Sequence, residues 1–344
     1  MEYRKVGTPL DGITRVTSPL TGKDRWGSFR ARWSDFRMNY AISPGLYALG
    51  DPGRESEVLV TANYKLTFDS LRSQLAGRHL WILVLDTRGI NVWCAAGKGT
   101  FGTDELIHRI RETKLAERVT HGRIILPQLG APGVAAYKVK QETGFRVLWG
   151  PVEATDLQQY LDGGKTASAR MRRKEFPFRE RLVLIPIELV PVLKVVLMLQ
   201  VIFLLFSGLL GTGTFTANMA HAGLFAVASL VAALIAGVII TPLLLPFLPG
   251  RAFSGKSILP ALLLIGLLTV SMRGMPSTWQ VRFEVAGWVL MAGAIASFYA
   301  VNFTGASTFT SLSGVKKELR LAIPIQVGSA LSGLVLWAVS LRAF

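Results

Sequence analysis

Two kinds of apolar pattern share this chain, and they change over near residue 181. In the first half the apolar residues come in short runs bounded by turn formers. The runs at 58–62, 81–86, 123–126 and 145–149 read as buried strands. Between and after them, helical spacing covers 65–75, 103–118, 133–143 and 155–161, and Thr103 is placed to N-cap its helix with Asp104 and Glu105 in the favoured first turn. Strands alternating with helices predict an α/β, Rossmann-like domain with a parallel, doubly wound sheet over residues 57–164. Residues 1–56 show no strong period and are expected to wrap that domain as an irregular arm with short helices.

Past residue 181 the pattern becomes continuous. Five apolar stretches, about 184–209, 222–246, 256–272, 284–303 and 321–341, are each long enough to cross a bilayer as a helix. They predict an α-helical multi-span transmembrane domain over 182–344. Residues 165–181 form a basic juxtamembrane linker between the two.

Charge sharpens the division. Residues 182–344 carry nine Lys/Arg and three Asp/Glu, leaving 29 of the 38 basic and 19 of the 22 acidic residues to the first 181. The net charge of +16 does not point to nucleic acid, because much of the excess clusters at Lys165, Arg170, Arg172, Arg173, Lys174, Arg179 and Arg181, directly before the first apolar stretch. Such a cluster reads as an anchor against anionic membrane lipid on the cytoplasmic side. Basic loops at Arg251 and Lys256, and at Lys316, Lys317 and Arg320, share that side, so the expectation is a multi-pass protein of the cytoplasmic (inner) membrane with its soluble domain in the cytoplasm. The loop with Arg273 and Arg282 runs against the rule. Residues 1–37 lack the apolar core of a secretory signal, and one cysteine in the chain suits a reducing compartment.

That cysteine, Cys94, excludes an intrachain disulfide and a four-ligand zinc site of its own. It lies between a strand run and a helical run, at the carboxyl rim of the expected sheet, where α/β folds place ligands. Four loops meet there: Thr61-Ala62-Asn63, 87–102, 127–133 and Trp149-Gly150-Pro151. All are rich in small residues, which leaves room for something broad and flat. A phosphate-binding loop does not fit: Gly97-Lys98 is followed by Gly99 with Val at 92, and Gly164-Lys165-Thr166 has Gln at 159. His79, His108, His121 and His221 are scattered and read as structural.

The run Asn91-Val92-Trp93-Cys94-Ala95-Ala96-Gly97-Lys98-Gly99 resembles the signature of the HgcA family, the corrinoid proteins of microbial mercury methylation. The order of domains agrees with that family, and the α/β part is similar to the corrinoid-binding domain of the large subunit of corrinoid iron–sulfur proteins. The resemblance implies a corrinoid cofactor with Cys94 as catalytic residue and lower axial ligand of cobalt. Asn91 would N-cap a short helix stopped by Gly97, Ala95 and Ala96 would let that helix lie close to the ring, and Lys98 would pair with a corrin side chain or phosphate. With Thr61, Val92, Trp93, Gly97, Gly130 and Gly150, these make up the expected corrinoid-binding set.

The family also implies methyl transfer to Hg(II). Hg(II) is an electrophile and needs a methyl carbanion or radical equivalent. Heterolysis toward it leaves Co(III), which a thiolate stabilises, and the same donor makes reduction to Co(I) harder. A low-potential electron source is then required, and the family supplies a small ferredoxin-like partner, HgcB, with two [4Fe–4S] clusters. Two other readings stay open: a corrinoid one-carbon carrier of a reductive acetyl-CoA-type pathway, and a membrane thiol sensor or scaffold without cofactor.

Overall fold

The four expected strands are present, each within a residue of its expected ends, in a computed structural model that describes residues 13–306 and 312–342. The chain divides into two compact units, Met1–Lys174 and Glu175–Phe344.

Among the described residues, the first unit is built on a six-stranded sheet. In chain order its elements are β1 (Thr14–Val16), α1 (Gly22–Trp33), β2 (Gly45–Leu49), β3 (Val58–Ala62), α2 (Lys65–Ser73), β4 (Leu80–Leu85), α3 (Val92–Lys98), α4 (Thr103–Glu112), α5 (Leu115–Arg118), β5 (Arg123–Leu126), α6 (Ala136–Thr143), β6 (Arg146–Trp149) and α7 (Leu157–Asp162). The spatial order is β1-β2-β4-β3-β5-β6, with β4, β3, β5 and β6 parallel and β2 antiparallel to β4. Alternate residues feed two cores. Val58, Val60, Leu83 and Leu85 pack with α3, α4 and α6, while Leu59, Ile82 and Val84 pack with α2 and α7. Helices on both faces give the doubly wound arrangement.

Four expectations are corrected. Residues 1–12 of the arm lie outside the described residues, but 14–16 and 45–49 are strands of the sheet and 22–33 is a three-turn helix, so this segment is part of the fold rather than a wrapping. Gly102, not Thr103, is the N-cap of α4; the Thr103 hydroxyl instead accepts the Ala135 N–H at 2.8 Å. The helix expected over 103–118 breaks at Lys114, whose φ is +50°. The stretch expected as one helix over 133–143 is a 3₁₀ turn, Gln128–Gly133, followed by α6 from Ala136.

The boundary also shifts. Ala167 and Met171 are buried against α7 and the sheet, Lys165 pairs with Glu57, and the Val152 N–H donates to the Met171 carbonyl at 2.8 Å. The first part of the basic linker therefore belongs to the α/β unit.

Among the described residues, the second unit contains five helices long and apolar enough to cross a membrane: Phe178–Leu210, Phe215–Leu243, Phe253–Arg273, Trp279–Asn302 and Gly314–Arg342. Its interior is organised around Phe225, Trp288 and Trp337, with the fourth and fifth helices in backbone contact at Gly287 and Gly333. Large apolar side chains such as Leu197, Leu209, Leu263, Leu267, Ile325 and Val335 face outward. Arg273 is not a free loop charge. It forms a two-pronged ion pair with Glu284 at 2.9 Å, and both are buried.

Candidate functional site

The strand order reverses at β3: β4 lies on one side of it and β5 on the other. At such a switch point the loops leaving adjacent strands part, and a crevice opens between them. Here the crevice is a cleft of about 480 Å³. Thr61 and Tyr64 come from the end of β3, Leu126, Pro127 and Leu129 from β5, and Gly150 and Pro151 from β6. Asn91, Val92 and Trp93 close one wall.

Those last three open α3, the short helix that carries Cys94. Asn91 caps it: its side-chain oxygen accepts the Cys94 N–H at 2.9 Å. The helix runs through Gly97 and stops at Gly99, which adopts φ +80°, so Gly99 rather than Gly97 is the C-terminal stop. The thiol is free and half-buried, and it follows directly on the cleft-lining Trp93.

The loop that delivers α3 is fixed by Asn63. Its side-chain oxygen accepts the Thr87 N–H (3.1 Å), the Thr87 hydroxyl (2.8 Å) and the Gly89 N–H (2.9 Å), while its amide donates to Asp86 at 3.2 Å. This ties the loop after β3 to the left-handed turn Arg88-Gly89 after β4. From the far side Glu105 accepts the Asp86 N–H at 2.7 Å and is itself held by Arg109.

Of the expected binding residues, Thr61, Asn91, Val92, Trp93 and Gly150 are brought together on the cleft. Ala95 and Ala96 are not: both are buried in the core, where α3 packs on the sheet. Gly97 and Lys98 are exposed at the end of α3. Gly130 sits under the Phe101 ring, where a Cβ would come within 2.5 Å of it, and at Gly133 a Cβ would come within 2.1 Å of the Phe101 carbonyl. The small residues of the 127–133 loop thus admit the turn that follows α3, not a ligand.

Two further cleft residues carry polar groups that sequence reasoning missed. Arg32 reaches the cleft from α1, and Lys174, paired with Glu153, from beyond the expected domain end. Burial pushes the Tyr64 phenol above its ordinary value, against the opposing pull of Arg37 and Arg32. The only signal in the chain for Arg32 and Lys174 was their charge. His79 and His121 make structural hydrogen bonds, to the Asp51 N–H and the Ser56 carbonyl at 2.8 Å each.

The site therefore offers an apolar slot with a few polar groups at its edge, and beside it a soft thiol on a capped helix. Among the described residues there is no cluster of three or more His, Cys, Asp or Glu suited to a metal ion, and the soft donor beside the cleft is the Cys94 thiol. Cys94 does not itself line the cleft; the residues that would hold a corrinoid are the cleft wall and, one position beyond Trp93, the thiol.

Residues 30–161 match the family described as CdhD, CO dehydrogenase/acetyl-CoA synthase delta subunit. The chain is similar to the gamma subunit of the acetyl-CoA decarbonylase/synthase complex of Archaeoglobus fulgidus, with 33% identity over 132 residues, covering 38% of this chain and 28% of that protein. The corresponding subunit of Methanothermobacter thermautotrophicus is 34% identical over 132 residues, with the same coverage of 38% and 28%. The corrinoid/iron-sulfur protein large subunit of Moorella thermoacetica is 28% identical over 127 residues, covering 36% of this chain and 28% of that protein. The chain thus spans less than a third of the length of these curated relatives. The family match takes in all four rim loops and ends before the apolar helices.

Proposed function

We propose that this protein is a membrane-anchored, corrinoid-dependent methyltransferase whose acceptor is Hg(II). The likeness of residues 30–161 to corrinoid-linked subunits supports a methyl carrier. The observation that carries the reading further is Cys94: the sole thiol, on a helix capped by Asn91, beside a cleft at the switch point of the sheet. When bound, a corrinoid supplies a cobalt–carbon bond whose methyl group leaves with the bonding pair to an electrophile such as Hg(II), giving methylmercury.

The residues of the chain do the rest. Cys94 would hold cobalt through its thiolate, a strong anionic electron donor that would favour the oxidised metal. Asn91 and Asn63 fix the thiol's helix and its loop. Thr61, Val92, Trp93, Leu126 and Gly150 would line the ring edge, and Arg32 and Lys174 would stand near an anionic group such as the phosphate of its nucleotide tail. Return of the metal to its methyl-accepting state needs low-potential electrons, the role of a ferredoxin-like partner with two [4Fe–4S] clusters such as HgcB. The five apolar helices hold the unit at the cytoplasmic membrane.

The test is Cys94→Ala. The purified variant is expected to fold, to retain corrinoid with an altered absorption spectrum, and to lose methylmercury formation by at least a hundredfold. Full methylation by the variant would overturn the role of the thiol. A second reading, a one-carbon carrier of an acetyl-CoA-type pathway, is favoured by the names of the relatives. It predicts methyl transfer to a thiol or nickel acceptor and none to Hg(II).

A further inference from the structure

Helix α1 presents a face that the α/β unit leaves uncovered. Its inner side carries Asp24, Gly27 and Ala31, all buried. At 3.6 residues per turn, Trp26, Phe29 and Trp33 fall within roughly 60° of one another on the opposite side. They are 61%, 48% and 47% exposed and stack along the helix, with ring centroids 5.4 and 5.8 Å apart. The same spacing puts Lys23 and Arg30 along one border of this stripe and Arg25 and Arg32 along the other. The one acidic residue of the helix, Asp24, is turned inward and bound to Lys65 and Arg72. The outward face therefore holds three rings and three cations, Lys23, Arg25 and Arg30, with Arg32 turned to the cleft, and no anion.

We propose that α1 lies in the headgroup layer of an anionic lipid surface, its rings among the upper acyl carbons and its cations on lipid phosphates. Charge complementarity favours this occupant, since the cations border the apolar stripe on both sides, as in helices that lie in a membrane interface. Tryptophan is the residue enriched at that depth. The stripe forms a ridge rather than a groove, which a deformable lipid layer accommodates and a preformed protein socket would have to match. The proposal goes beyond anchoring by the apolar helices, and rests on that reading only in placing a bilayer near the unit.

The experiment uses the full chain in a Cys94→Ser background with a single environment-sensitive fluorophore at Gly22→Cys. Gly22 lies in the same sector as the stripe, with nothing within 4 Å of its added Cβ, so all three rings stay in place. A second variant carries the label at Tyr137→Cys, an exposed position on α6. In phosphatidylcholine vesicles containing phosphatidylglycerol, the label at 22 is expected to shift to the blue, to lose iodide quenching several-fold and to be quenched by a lipid-borne nitroxide. High salt, or Lys23→Glu with Arg30→Glu, should reverse this, and the label at 137 should stay open to iodide throughout. A label at 22 as open to iodide as that at 137 in these vesicles overturns the proposal while leaving the anchor intact. Equal shielding in detergent without lipid overturns it in favour of a protein contact. Should the chain fail to resist carbonate extraction, the anchor reading falls, and the response of the label at 22 to added vesicles still decides the role of α1.

Discussion

The side-chain oxygen of Asn63 accepts three hydrogen bonds from a loop 24 to 26 residues further along the chain. Replacing it by alanine strands the Thr87 and Gly89 N–H groups, while the Thr87 hydroxyl keeps the Ile90 carbonyl at 2.6 Å, and each such loss costs about 1–3 kcal/mol. Asn63→Ala should therefore lower stability by about 3 kcal/mol in urea denaturation and speed hydrogen exchange at the Gly89 and Cys94 amides. A loss below about 0.5 kcal/mol, on the scale of an ordinary surface change, would mean that the loop holds itself. The contrast with Cys94 shows what a sequence reveals at this scale. Cys94 and its cap Asn91 are contiguous, so capping chemistry exposes their relation. Asn63 and its partners meet only across two strands. The glycines of the 127–133 loop were legible as small but not for their reason: what Gly130 and Gly133 make room for is Phe101, 29 residues earlier than the first of them in the case of Gly130.

Among the elements, α1 was the least legible and is held in the least common way. Its buried side offers Asp24, Gly27 and Ala31, and its large apolar residues face out, so the 3.6-residue apolar period that announces a helix is inverted. What docks it is ionic. Asp24 binds Lys65 at 2.7 Å and Arg72 at 2.8 Å, Asp69 binds the same two cations, and Arg72 also donates to the Thr17 carbonyl at 2.6 Å. Burial pushes the Asp24 carboxyl up, but Lys65, the Thr21 N–H and hydroxyl, and Arg72 outweigh it and hold the carboxyl well below the usual carboxylate range. A depressed folded-state value stabilises the fold above the ordinary carboxylate range, near pH 4, and that contribution fades as pH falls toward the folded value. Asp24→Asn should thus destabilise the protein by about 3 kcal/mol at pH 7, with a smaller difference from the parent at pH 3. Equal differences at both values would show that the carboxylate does not latch α1. Strand β2 was hidden for another reason. Its five residues begin with Gly45 and are followed by Gly50, two of the five are only partly buried, and it becomes a strand by pairing with β4. The β3, β4 and β5 runs, buried on both faces, announced themselves, and β6 did so by its apolar run although it lies at the sheet edge.

At the scale of the whole molecule the sequence marks two units because their apolar patterns differ, but the change in hydropathy near residue 181 is not where the α/β core ends. Residues 165–174 are basic and look like linker, yet Ala167 and Met171 are buried, Lys165 pairs with Glu57, and Lys174 pairs with Glu153 on the wall of the cleft. The hidden signal is a pair of apolar side chains among cations, too sparse to show a period. It follows that a fragment ending at Gly164 and one ending at Lys174 are not equivalent, although both contain Cys94 and every rim loop. Removing the Ala167 and Met171 side chains from the core forfeits about 2–3 kcal/mol of apolar burial, and cutting the chain there also opens the Val152–Met171 hydrogen bond. The fragment ending at Lys174 should be soluble, melt in one step and bind corrinoid. The fragment ending at Gly164 should be less stable by about 3 kcal/mol and bind corrinoid more weakly, because one wall of the cleft loses Lys174. Urea denaturation and corrinoid titration of the two fragments measure both effects. Equal stability and equal affinity would return the boundary to residue 164. If the longer fragment holds methylcorrinoid and transfers its methyl group to Hg(II), the chemistry resides in the α/β unit; if it binds but transfers nothing, the apolar helices take part in the reaction as well as in anchoring it.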